Sequence, residues 1–182
     1  MENLTDEELM EFVVGGNLDM MHHLFLRYHI KIYNFCLQMT RDKHLSKDIT
    51  QEVFYKVLKH RETYKQSKFS SWLYAIARNL CKDHYKILNK TQRLNDNDLK
   101  DSYKINDTRS ESLGSIRQLN FALDELSDSD RELIVMGKYQ GLKYHEIAEI
   151  TNSTLGAVKT KMHRAMQKLK DSYFLKTKHH EL

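Results

Sequence analysis

Apolar residues recur at spacings of three and four along most of this chain, and nowhere do they alternate with period two for long. The pattern predicts an all-α protein. In the stretch Thr5-Asp6-Glu7-Glu8, Thr5 and Glu8 have the spacing of a capping box, so a first helix starts there and ends near Gly15-Gly16. A long helix over about 18–40 turns Met21, Leu24, Phe25, Tyr28, Ile32, Phe35 and Met39 toward a core, and Arg41-Asp42-Lys43 connects it to the next. The third helix, about 45–60, has Leu45, Ile49, Val53 and Val57 as its core stripe. Asp48, Gln51, Glu52 and Tyr55 line another face at i, i+3, i+4 and i+7. Phe54 and Leu58 lie off the stripe, so this helix is apolar on two sides, and either a further helix of its own domain or a partner protein must cover them.

The fourth helix, about 70–89, sends Trp72, Leu73, Ile76, Leu80 and Ile87 inward and leaves Ser71, Tyr74, Arg78, Lys82, Tyr85 and Lys86 on the other side. Asn79 and Asp83 fall beside the core stripe, where internal hydrogen bonds suit them. A polar, basic loop precedes this helix, with Tyr64 among Lys65, Gln66, Ser67 and Lys68. Tyrosines interleaved with cations suit single-stranded nucleic acid, since the charges neutralise phosphate and the rings stack on unpaired bases. A surface helix with half-covered tyrosines accounts for the same pattern.

Residues 91–114 change character. They are rich in Asn, Asp and Ser, poor in apolar residues, and carry Asp96, Asp98, Asp101, Asp107 and Glu111. That composition predicts a flexible acidic linker between one domain at 1–90 and another at 115–175. The second domain resumes with Ile116, Leu119, Phe121, Leu123 and Leu126. Ser127-Asp128-Ser129-Asp130 then caps a helix holding Leu133, Ile134 and Met136. Four short helices are expected there, with a loose tail at 176–182.

Residues 144–170 read as two helices joined by a very short turn. Ile147, Ala148 and Ile150 face a core in the first; Asn152 tolerates the left-handed backbone of the turn; Thr154 suits the N-cap of the second. Val158, Met162, Ala165 and Leu169 then form one apolar stripe, and Gly156, Lys159, Thr160, His163, Arg164 and Gln167 lie opposite. From Thr154 to Lys170 the helix has cations and no Asp or Glu, although the net charge of the whole chain is only +4. A solvated basic face is one reading. The turn chemistry and the absence of acids favour a helix-turn-helix whose second helix enters the DNA major groove N-terminal end first.

Composition narrows the classes further. With 182 residues the chain can hold one or two small domains. No run approaches a membrane span, and the acidic start MENLTDEELM lacks signal-peptide order, so no membrane insertion is expected. Cys36 and Cys81 sit inside helical patterns and form no disulfide or metal framework; a reducing cytoplasm suits them. His22 and His23 are adjacent and point apart, and the remaining histidines make no i, i+4 pair with a carboxylate, so no metal site and no cofactor are expected. No nucleophile–base pairing and no P-loop point to an enzyme.

Three segments, in order, carry a resemblance: DITQEVF at Asp48–Phe54, FSSWLYAIARNL at Phe69–Leu80 with Asp83 following, and EIAE at Glu146–Glu149 with GAVKTKMHRA at Gly156–Ala165. Over about 8–172 the chain resembles the sigma-70 family of RNA polymerase sigma factors, in its extracytoplasmic-function (ECF) group. Asn152-Ser153 stands where the family's turn carries Gly and an apolar residue, and Leu155 where it often has a polar one.

The resemblance implies a sigma-2 domain, a linker and a sigma-4 domain. It implies that Asp48, Gln51, Glu52, Phe54 and Tyr55 dock on the β′ clamp helices of core RNA polymerase. Tyr64, Lys65, Ser67, Lys68, Ser71, Tyr74, Arg78, Asn79, Lys82 and Lys86 would meet the −10 promoter element as its strands part, with a base flipped into a pocket made by the loop. Thr154, Gly156, Ala157, Lys159, Thr160, Lys161, His163 and Arg164 would read the −35 element as duplex. Promoter DNA, the polymerase β flap and an anti-sigma factor are the other partners implied, and the linker would thread toward the RNA exit path. A helix-turn-helix regulator of the LuxR type is the alternative, but such a protein would carry a sensory or receiver domain, and the N-terminal half has no βα alternation.

Overall fold

A computed structural model describes residues 4–65, 68–94 and 112–177, with side chains at 87–94, 112, 113, 115, 176 and 177 left aside. Its described elements are helices: α1 Asp6–Val14, α2 Met21–Thr40, α3 Lys43–Lys59, α4 Phe69–Leu94, α5 Ser112–Asp124, α6 Asp128–Ile134, α7 Tyr144–Thr151 and α8 Leu155–Thr177. The chain divides into two compact units, 1–102 and 103–182. Helix α4 continues to Leu94 and α5 begins at Ser112, so both expected linker edges are helical. The expected core residue Ile87, Ser67, the acidic stretch 95–111 and the tail 178–182 fall outside the described positions.

In the first unit α2, α3 and α4 pack on one another, and α1 lies against α2 and α4. The expected capping box forms at α1: Glu8 N donates to Thr5 Oγ1 at 3.2 Å and Thr5 N donates to Glu8 Oε2 at 2.7 Å. Leu9, Met10 and Val13 bury the inner face of α1. Asp6 ties its first turn to α2, taking bonds from Arg27 Nη1 (2.6 Å) and from Tyr28 Oη. Helix α2 stops because Arg41 turns left-handed at φ 59°, and Asp42 then caps α3 by accepting from His44 N and Leu45 N.

The core of the first unit runs through Leu24, Ile32, Phe35, Ile49, Val53, Val57, Phe69, Leu73 and Ala77, all shielded from solvent. Each large side chain fully buried there contributes about 1.5–3 kcal/mol. Phe25, expected inside, is exposed: the buried stripe of α2 is Met21, Leu24, Tyr28, Ile32, Phe35, Cys36 and Met39, and Phe25 stands at its edge.

In the second unit α8 is the spine, with α5, α6 and α7 packed against it. Ser127 caps α6 by accepting from Asp130 N. Past Ile134 the chain widens into a π-helical turn, Val135–Tyr139, before Gly141 turns it with φ 68° into α7. Arg131 is buried here between Asp128 (2.5 Å) and Asp124 (3.9 Å). Ile116 and Phe121, expected inside, are exposed.

Candidate nucleic-acid interface

The helix-turn-helix takes the form its residues dictate. Asn152 sits at φ 51°, ψ 47°, the left-handed cap, and Ser153 N closes back on Ala148 O at 2.9 Å. Thr154 Oγ1 accepts from Ala157 N at 3.2 Å, which fixes the start of α8. Val158, Met162, Ala165 and Leu169 are buried, and Gly156, Lys159, Thr160, Lys161, His163 and Arg164 are exposed along the same helix; Ala157 is half-buried. Glu146, buried, turns its carboxylate back to Lys143 N at 2.6 Å and anchors the start of α7. Lys168 is tied to Asp130 of α6 at 2.6 Å. Burial of Asp130 would raise its carboxyl, but Lys168 and the Ser127 hydroxyl outweigh that and hold it below the usual carboxylate range.

The face of α4 differs from the sequence expectation. Tyr64, Ser71 and Tyr74, expected to meet nucleic acid, are buried. The Tyr74 ring meets Phe35 edge-on at 5.5 Å, and Tyr64 lies against Trp72 at 5.3 Å and Phe69 at 6.3 Å. Burial, then the carboxylates of Glu7, Glu11 and Asp6, push the Tyr64 phenol up to about 12, and burial raises that of Tyr74 as well. The physical reason is the small residues. Ser70, Ser71 and Ala77 are buried on the side that carries Tyr74, and their small side chains suit close packing there, so the helix turns this side inward.

Trp72 and Ile76, expected in the core, are therefore only half-buried, and Asn79 and Asp83 are exposed rather than internal. With Lys56, His60, Thr63 and Leu80 they line a groove between the end of α3 and the face of α4. Lys65 and Lys68 are exposed at the N-terminal side of that face, Arg78 and Lys82 half-buried on its flank, and Lys86, 3.4 Å from Asp83, exposed beyond it. Tyr85 donates to Met39 O at 2.6 Å and belongs to the packing. Periodicity alone missed that Trp72 and Ile76 are only half-buried; the run of small residues was the available signal.

On α3, Asp48 and Gln51 are exposed and Tyr55 is 61% exposed, with Lys59 Nζ 5.7 Å from its ring centre. Glu52 lies within 3.7 Å of Lys56 and 3.8 Å of His84 Nε2. Phe54 is not part of this surface. It is buried under Phe25 of α2, ring centres 4.9 Å apart, so a helix of its own unit covers the second apolar side of α3. Phe25 is the exposed member of that pair and stacks on His29 at 4.8 Å.

Among the described residues no group of His, Cys, Asp and Glu could hold a metal, and no helix is long and apolar enough to cross a membrane.

The model for Sigma-70 region 2 matches residues 24–91, and that for Sigma-70, region 4 matches residues 116–169. The chain is 33% identical over 152 residues to the ECF RNA polymerase sigma factor SigM of Bacillus subtilis, covering 82% of this chain and 93% of that protein. It is 29% identical to SigX of the same organism, over 81% of this chain and 80% of the relative. Among solved structures, CnrH in complex with the cytosolic domain of CnrY superposes with a TM-score of 0.71 at 19% identity, over 91% of this chain and 95% of that one. The sigma factor RpoE in complex with the anti-sigma factor NepR from Bartonella quintana gives 0.70 at 22% identity, over 83% and 94%. At those identities the two superpositions establish the fold.

Proposed function

The chain belongs to the sigma-70 family of RNA polymerase sigma factors, in its ECF group, and from that premise we propose how its surfaces divide the work of initiation. It binds core RNA polymerase and directs promoter-specific transcription initiation, recognising −10 and −35 elements and aiding promoter melting. The second unit reads the −35 element as duplex. What carries this assignment is α8: Lys159, Thr160, His163 and Arg164 are exposed beside a buried stripe, directly after the left-handed turn at Asn152. Lys161 adds charge at the edge of that face, and Thr154, Gly156 and Ala157 bring its N-terminal turn close to the backbone of DNA.

The first unit meets the −10 element as the strands part. The surface suited to this is the groove face of α4, with Lys65 and Lys68 ahead of it for phosphate and Trp72 and Asn79 for an unpaired base. Arg78, Lys82 and Lys86 supply flanking charge, whereas Tyr64, Ser71 and Tyr74 support the face from within. Asp48, Gln51, Glu52 and Tyr55, with Phe25 alongside, dock on the β′ clamp helices, and Phe54 holds Phe25 in place from beneath. In the second unit an open apolar groove lined by Ile116, Leu119, Met166, Tyr173 and Phe174 suits a protein partner such as the β flap.

The chain performs no catalytic step of its own; polymerase does the chemistry. It acts in the bacterial cytoplasm, and an anti-sigma factor is a further partner; among its structural neighbours, RpoE is in complex with the anti-sigma factor NepR. Transcription with purified core polymerase tests the reading. Core enzyme plus this protein should yield transcripts with defined starts from a genomic fragment library. Transcripts no more specific than those of core alone, with sequence-specific DNA binding retained, would favour a plain helix-turn-helix regulator.

A further inference from the structure

The N-terminus of α4 is capped from a distance. Lys68 precedes the helix and accepts the first helical bond through its carbonyl, from Trp72 N at 3.2 Å, but its ammonium has no lone pair to offer an orphan backbone N–H. The acceptor comes instead from α1. Glu7 Oε1 takes the hydrogen of Phe69 N at 3.1 Å, across 62 residues of sequence. Glu7 is itself held, because its neighbour Asp6 is clamped by Arg27 Nη1 and Tyr28 Oη of α2. The Phe69 ring then sits against Tyr28 (5.5 Å), Tyr64 (6.3 Å) and Trp72 (6.4 Å). Backbone and ring at this point are thus fixed from two sides, between exposed Lys68 and half-buried Trp72.

We propose that Glu7 is a positioning residue for strand capture: by capping Phe69 it sets the register of Lys68 and Trp72 at the mouth of the α4 groove. The carboxylate also occupies the helix end where a phosphate would otherwise be drawn, so DNA is left to Lys68 and the groove. This inference rests on the reading of the α4 face as the −10 surface. A pre-set geometry matters there because ordering a mobile loop at the moment of binding would be subtracted from affinity.

The test uses holoenzyme assembled from full-length protein. The probe is the non-template strand of a promoter recovered by selection with wild-type holoenzyme, fluorescently labelled. Glu7→Ala should weaken single-strand binding roughly tenfold, the worth of one charge-assisted hydrogen bond. Affinity for core polymerase and for duplex −35 DNA should stay unchanged. Glu7→Gln keeps an oxygen acceptor and should restore binding to within about twofold. A Glu7→Ala protein that melts earlier but binds the strand normally below its midpoint would reduce Glu7 to a purely structural cap and overturn the proposal. So would Glu7→Gln failing as badly as Glu7→Ala. Lys68→Ala separates the two layers: strand binding lost with Lys68→Ala and kept with Glu7→Ala overturns the positioning role alone. Binding kept in both removes the −10 assignment and the inference with it.

Discussion

Gly137 lies so close beneath α8 that a methyl group on it would stand 2.7 Å from Met162 Cε. The π-helical turn that carries Gly137 and the stripe of α8 therefore fit at a point where no side chain is allowed for. Gly137→Ala gains about 1 kcal/mol of helix propensity but meets overpacking of about 1–3 kcal/mol, and the second term wins. The Met162 terminal methyl is the flexible end of its side chain, so the net loss is modest, about 1 kcal/mol. Met162→Leu removes that methyl. The double variant should recover most of the loss, a non-additivity that thermal unfolding followed by circular dichroism will register. Strict additivity would mean that Gly137 and Met162 are not in contact.

Tyr74 is 2% exposed against Phe35, and this burial sets its response to substitution. Tyr74→Ala should cost about 3–5 kcal/mol, and Tyr74→Phe far less. Trp72 is the sole tryptophan of the chain and belongs to the same helix, so its fluorescence in a urea titration follows the unfolding of the first unit. A Tyr74→Ala protein as stable as wild type would place this ring at the surface.

Lys159 and Arg164 on α8 have separable signatures. Lys159→Ala should relax −35 preference, with a loss of about 1–3 kcal/mol on the preferred site alone. Arg164→Ala should weaken all sequences alike and lower the salt slope by about one. Binding selection and a salt titration read the two effects. If neither changes affinity while Met162→Asp, which buries an unpaired charge, leaves the unit folded, the faces of α8 are inverted.

Asp48→Lys combined with Glu52→Lys should weaken core polymerase binding by several kcal/mol while the helical content is kept, since each reversal sets a like charge at a polar interface. Fluorescence anisotropy against core enzyme measures it. Unchanged affinity would move the docking face off α3.

The Asp130–Lys168 pair gives a pH dependence with a definite sign. The folded carboxyl is lowered below its ordinary value, so its contribution is fully present above the ordinary carboxylate range and is lost as pH falls through the lowered value. Wild type should exceed Asp130→Asn in thermal midpoint at neutral pH, and the gap should close as pH falls below the ordinary carboxylate value of about 4. A gap independent of pH would mean that the carboxylate charge is not what joins α6 to α8.

The elements that local chemistry determines were legible in the chain. The Thr5–Glu8 box, the left-handed Asn152, the Thr154 cap and the Val158–Leu169 stripe each depend on residues a few positions apart, and each is present. The rotation of α4 was not legible. Its apolar and aromatic residues spread round most of the circumference, so periodicity offered more than one inward face, and the choice came from the close packing that buried Ser70, Ser71 and Ala77 suit. Phe25 and Phe54 exchanged roles for the same reason: which of two touching rings is covered depends on a partner helix distant in sequence. The link from Glu7 to Phe69 spans too much chain for any local pattern to announce it.

The alternation along α8 has a consequence for how such a protein diverges. Val158, Met162, Ala165 and Leu169 are locked into the interior, while Lys159, Thr160, His163 and Arg164 are interleaved with them and touch none of that interior constraint. Exposed positions of this kind tolerate exchange within about 0.5 kcal/mol of fold stability. Mutational drift is therefore channelled: the architecture resists change, and the exposed positions proposed to read the −35 element are nearly free to be rewritten one at a time. A duplicated copy of this gene would acquire a new set of targets long before it acquired a new shape.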